Sequence, residues 1–116
     1  MANAYYLLQK VDEAIHYYKL ALEMNPSKVE CHYNLGNSYC SKNDYATAIT
    51  YYLEAIKLDS QHDPALYNLG YAYHRTGQLS MAIESYKLAL KLNPSSAECH
   101  FNLASAFSDN NMPDSA

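Results

Sequence analysis

Tyr33-Asn34-Leu35-Gly36 returns as Tyr67-Asn68-Leu69-Gly70 and then as Phe101-Asn102-Leu103-Ala104, a step of 34 residues each time. Asn25-Pro26 and Asn93-Pro94 stand two such steps apart with Asp59-Ser60 midway, and Ala14-Ile15, Ala48-Ile49 and Ala82-Ile83 keep the same period. Fixed self-similarity at this length means a stack of supersecondary units, because one unit cannot bury its own apolar face and gains stability by covering its neighbour. The 116 residues then read as one array: a partial unit over 1–28, units over 29–62 and 63–96, and a partial unit over 97–116.

Each whole unit holds two stretches of about 14 residues with apolar side chains at three- and four-residue spacing, and nothing alternates with period two. The expected fold class is all-α, built from antiparallel helix pairs. Ser27-Lys28-Val29-Glu30 and Ser95-Ser96-Ala97-Glu98 have the capping-box spacing, which makes Ser27 and Ser95 the expected caps. In the middle unit Asp63 is the expected cap, with Pro64 at the first helical position. Asn43 and Gly77 mark the turns within pairs. Gly36, Gly70 and Ala104, with Ala48, Ala55, Ala82 and Ala89, are expected where helix backbones approach closely. Tyr18, Tyr39, Tyr52, Tyr73, Tyr86 and Phe107 are expected to fill the space between helices.

Charge narrows the partners. A net charge of −4, with Lys and Arg scattered singly, lacks the basic stripe that a phosphate backbone needs, so no nucleic acid is expected. No apolar run reaches the roughly 20 residues of a membrane span, and the first residues do not resemble a signal peptide. Three cysteines, an odd number, do not suggest a disulfide framework. The expected location is cytoplasmic or nuclear, with no membrane partner.

Leu66, Leu69, Gly70, Tyr73, Ala82, Tyr86, Ala89 and Pro94 together resemble the small-and-large pattern of tetratricopeptide repeats. The 29–62 unit departs from it at His32 and Ser60. The resemblance implies a right-handed superhelix whose first helices line a concave groove, and a scaffold that binds peptides or subunits and is not an enzyme. It implies a groove lined by Tyr33, Asn34, Asn37, Cys40, Tyr67, Asn68, Tyr71, His74, Arg75, Phe101, Asn102 and Ser105, of which all but Cys40 and Ser105 are the expected peptide-binding residues. Asn34, Asn68 and Asn102 are similar to the asparagine ladder of O-GlcNAc transferase repeat arms, where carboxamides hold a substrate backbone; a plain helix-to-helix bond is the other reading of these residues. The basic clamp by which some co-chaperones of the family grip a C-terminal carboxylate is missing, since its places hold Tyr33, Pro64, Asn68, Glu98 and Asn102.

Glu-Cys-His occurs at Glu30-Cys31-His32 and Glu98-Cys99-His100. Adjacent Cys and His on a helix point about 100° apart and do not converge on an ion, so no metal and no cofactor is expected and the cysteines read as half-buried packing residues. No catalytic residue is assigned, because helical hairpins supply no strained nucleophile turn or phosphate loop. The leading expectation is a scaffold for an extended peptide, a fragment of a longer array. The alternatives are a structural subunit of an assembly of the ciliary-trafficking or anaphase-promoting type, and the substrate-binding arm of a glycosyltransferase. Self-association through truncated terminal units is also expected, because Tyr5, Tyr6 and Leu7 at one end and Phe101, Leu103 and Phe107 at the other lack part of their cover.

Overall fold

The computed structural model describes the backbone of residues 2–110 and the side chains of 9–110. It comprises α1 (Ala2–Met24), α2 (Val29–Ser41), α3 (Tyr45–Leu58), α4 (Asp63–Arg75), α5 (Leu79–Leu92) and α6 (Ala97–Asn110), with no strand among the described residues.

The turns follow backbone chemistry. Asn43 (φ 63°) and Gly77 (φ 80°) take the left-handed conformation that ends α2 and α4, a region open to Gly and tolerated by Asn. One period earlier the place is Gln9, which has no such freedom, and α1 runs unbroken through it. The partial unit expected over 1–28 therefore forms one continuous 23-residue helix, with no break between a first and a second helix.

The caps differ from expectation. Lys28, not Ser27, precedes α2 and gives no side-chain bond, while the Ser27 hydroxyl donates to Asn25 Oδ1. Ser96 Oγ, not Ser95, accepts from the Cys99 amide at α6. His62 Nδ1 accepts from the Ala65 amide (3.2 Å), which leaves Asp63 as the first residue of α4 and Pro64 second. At α4 and α6 the capping side chain stands three residues before the amide that it meets, and all three expected registers were one residue off. Asp44 caps α3 through the Thr47 amide in the same way.

The interior is built from small residues with tyrosine rings laid on them. Leu35, Ala48, Tyr52, Ala55, Leu66, Leu69, Ala82, Tyr86 and Ala89 are buried. A Cβ on Gly36 would lie 2.5 Å from the Tyr52 ring, and one on Gly70 would lie 2.8 Å from the Tyr86 ring. The close approach is thus of an aromatic ring to a helix backbone rather than of two backbones; Ala104, the third member of the series, is exposed. Tyr73 is buried as expected, but Phe107 remains 40% exposed. Of the groups invoked for self-association, the side chains of Tyr5, Tyr6 and Leu7 and residues 111–116 lie outside the described residues.

Each helix packs on its chain neighbours; α2 also touches α4 and α4 touches α6, while α3 and α5 do not meet. The stack therefore bends with α2, α4 and α6 on the inside. Its radius of gyration of 15.1 Å exceeds the roughly 13 Å of a compact domain of this length, as a quasi-one-dimensional stack requires.

Candidate peptide-binding groove

On the inner side, α2, α4 and α6 meet through residues 35 places apart. Asn68 Nδ2 donates to the Tyr33 hydroxyl (3.3 Å), and Asn102 Nδ2 donates to the Tyr67 hydroxyl. His74 Nε2 and Asp109 Oδ2 stand 2.7 Å apart at the same separation. A step of 34 reaches the equivalent place on the next inner helix, and one residue more turns the side chain about 100° toward its neighbour.

The bonding is densest between α2, α3 and α4. Asn37 Oδ1 accepts from the Tyr52 hydroxyl and from Asn68 Nδ2, the latter at 2.8 Å, and Cys40 Sγ lies 3.4 Å from that same hydroxyl. Burial, followed by the Cys40 contact, pushes the ionisation of Tyr52 far above the ordinary tyrosine range, and burial raises the Cys40 thiol, so both are neutral at pH 7. One period later the places of Asn37 and Cys40 hold Tyr71 and His74, and the buried Tyr86 hydroxyl has no hydrogen-bond partner among the described residues.

The other residues expected at the site pack on neighbouring rings or stay exposed. The Tyr33 ring packs on Tyr52 (6.2 Å between centroids) and His62 (4.9 Å), and Tyr67 packs on Tyr86 (5.7 Å). Burial first, and the Glu98 charge next, raise the Tyr67 hydroxyl. Tyr71, 40% exposed, meets Tyr45 edge-on, and the Arg75 guanidinium carbon lies 5.6 Å from the same Tyr45 ring. Phe101 is 74% exposed. Asn34 is half-buried, its side chain makes no bond of the ladder type among the described residues, and the Ser38 hydroxyl donates to its backbone carbonyl (3.0 Å).

Two of the three carboxamides thus bond the neighbouring inner helix through Nδ2, as in the plainer sequence reading. Neither Oδ1, on Asn68 or on Asn102, takes a hydrogen bond among the described residues, so each rung keeps an acceptor. The hub at Asn37 was out of reach of pattern reading, since its partner Tyr52 comes from the second helix of the pair. Asp44 was legible as an acid just before an apolar run; His62 as a cap carried no familiar signal.

The paired Glu-Cys-His motifs acquire a structural role. Cys31 and Cys99 are buried rather than half-buried. His32 and His100 each donate from Nε2 to a proline carbonyl of the preceding loop, Pro26 and Pro94, at 2.9 Å. Among the described residues no three His, Cys, Asp or Glu side chains gather to hold a metal ion, and no helix is long and apolar enough to cross a membrane.

The comparisons with known proteins agree with this architecture. A "TPR repeat" family model matches residues 2–39 and 36–77, and a "Tetratricopeptide repeat" model matches 64–96. The chain belongs to the tetratricopeptide repeat family. No curated protein sequence matches it. Among solved structures it is similar to the first TPR of Spaghetti (RPAP3) bound to the HSP90 peptide SRMEEVD, with a TM-score of 0.88 at 24% identity over 95% of this chain and 87% of that one. The first TPR domain of human RPAP3 gives a TM-score of 0.82 at 24% identity over 95% and 91%. MamA gives 0.83 at 28% identity over 85% of this chain and 58% of its own. At these identities the first and second likenesses speak for the fold.

Proposed function

We propose that the chain is a protein-interaction scaffold whose concave face takes an extended peptide segment, held at Asn68 and Asn102 and packed against Tyr67, Tyr71 and Phe101. The observation that carries this reading is the repeat of the Tyr33–Asn68 pair as Tyr67–Asn102, which sets two carboxamides one unit apart with a spare acceptor on each. Such rungs suit the backbone N–H groups of an extended chain, which supply affinity with little side-chain selection. The exposed ring of Phe101 adds apolar contact.

Binding of a peptide selected on the wild-type chain, followed by calorimetry, tests the reading. Asn102→Ala and Phe101→Ala are each expected to weaken it by on the order of 1 kcal/mol. Unchanged affinity in both, with folding intact, sinks the groove. The RPAP3-type neighbour takes an acidic HSP90 peptide. The corresponding peptide is expected to bind here more weakly than about 10 μM, because Glu98 stands where the family's clamp has a cation and Arg75 is turned onto Tyr45.

A further inference from the structure

The two seams of the inner face carry the same frame with one part exchanged. In the first, Asn68 Nδ2 donates to the Tyr33 hydroxyl and to Asn37 Oδ1, and the Tyr52 hydroxyl donates to that same oxygen. One acceptor oxygen, on a side chain of α2, thus satisfies two donors that come from different helices. In the second seam Asn102 Nδ2 donates to the Tyr67 hydroxyl, as Asn68 does to Tyr33, and Tyr86 takes the place of Tyr52. The acceptor oxygen has no counterpart, because Tyr71 stands at the place of Asn37. The second hydrogen of Asn102 Nδ2 and the Tyr86 hydroxyl therefore meet no acceptor among the described residues. Tyr86 is fully buried, and a buried hydroxyl without a partner carries the whole desolvation penalty of a polar group. Tyr71 is near enough for its charge to act on that hydroxyl. Its own hydroxyl makes no hydrogen bond among the described residues, and its ring is 40% exposed with an edge contact to Tyr45.

We propose that the seam between α4 and α6 is a subsite for the side-chain carboxamide of an Asn or Gln in the bound segment, which turns Tyr71 aside and brings the oxygen that Asn37 supplies in the first seam. The inference rests on the groove reading above and adds to it the chemical class of the residue bound. The carboxamide oxygen accepts from the Tyr86 hydroxyl and from Asn102 Nδ2, and its amino group has donors to offer to the unused Asn102 Oδ1 and to water. Because the Tyr86 hydroxyl is sealed from solvent, a side chain reaches it and the backbone of a segment lying on the surface does not. A neutral acceptor suits the place better than a carboxylate, since the Glu98 charge already acts on the adjoining Tyr67. Exposed side chains such as Tyr71 change rotamer readily, and such changes are common when an interface forms.

A random twelve-residue peptide library selected on the wild-type chain is the first arm of the test. The expected result is enrichment of Asn or Gln at one position, with a synthetic copy binding wild type about fivefold more tightly than Tyr86→Phe, a variant that keeps the ring and its packing. Replacing that Asn or Gln by Leu is expected to weaken the peptide on wild type by a similar factor and to leave its affinity for Tyr86→Phe little changed. Selected peptides without an enriched carboxamide, or ones that bind wild type and Tyr86→Phe equally well, overturn the proposal. If those peptides still lose affinity to Phe101→Ala, the groove stands without this subsite. If they do not, or nothing is enriched, both readings fall. The second arm needs no ligand: Tyr71→Asn restores the residue of the first seam, and in that background Tyr86→Phe is expected to lower the urea midpoint, which it does not do in the wild-type chain. An unmoved midpoint there shows that the Tyr86 hydroxyl does not reach the place of residue 71, and overturns the proposal as well.

Discussion

Tyr52 and Tyr86 occupy equivalent places and are both buried, yet one hydroxyl is bonded to Asn37 and Cys40 and the other meets no partner among the described residues. Replacing each by Phe separates ring packing from the hydroxyl. Tyr52→Phe is expected to lower unfolding free energy by about 1 kcal/mol, whereas Tyr86→Phe, which removes an unsatisfied buried group, is expected to be neutral or stabilising. Urea unfolding of the two variants measures this, and equal losses would mean that the orphaned hydroxyl finds a partner in solution. At this scale the sequence named candidates for the groove but not how they bond. The exchange of Asn37 for Tyr71 between units is plain on the page of letters; that it strands a hydroxyl of the opposite helix depends on a ring crossing Gly70, and only the packed structure shows that.

At the scale of single helices, the glycines of the chain do two different jobs. Gly36 makes room: a Cβ there meets the Tyr52 ring, and the ring cannot retreat without giving up its bond to Asn37. Overpacking costs about 1–3 kcal/mol, against the gain of about 1 kcal/mol in helix propensity. Gly36→Ala is therefore expected to destabilise by on the order of 1 kcal/mol net. Gly77 has open space around it but a left-handed backbone, so Gly77→Ala is expected to cost about the same through strain alone. Thermal unfolding checks both, and combining Gly36→Ala with Tyr52→Ala should recover much of the loss at Gly36 while leaving that at Gly77. The helices themselves were legible, because the 3.6-residue periodicity and the Asn43 and Gly77 stops say the same thing. Two caps shifted by one residue since His62 stands beside Asp63 and Ser95 beside Ser96, and pattern alone does not choose between them. The continuity of α1 could have been read from Gln9, where a left-handed residue would be needed to break it.

For the whole molecule, the large tyrosine content links stability to alkaline pH. Burial raises the ionisation of Tyr52, Tyr67, Tyr73 and Tyr86 in the folded chain. A hydroxyl held above its unfolded value adds stability that is fully present below about pH 10 and is lost as pH rises toward the folded value. Stability is thus expected to fall above about pH 10, and tyrosinate absorbance to rise in a cooperative step with loss of helix; smooth titration of every tyrosine with helix intact would contradict this. The seams between units are also unequal. Asn37 ties three helices together through Tyr52 and Asn68, and His62 adds its ring to Tyr33. α6 is held on α4 through Asn102 and Asp109, with Phe101 exposed. In time rather than space, that asymmetry is an order of events: amide hydrogens of α6 should exchange with solvent before those of α2 to α5, through openings that leave these four closed, and those of α4 last among them. A ligand laid across α4 and α6 would slow the early class alone, so the exchange rates of one helix would report occupancy of the groove before any partner is identified.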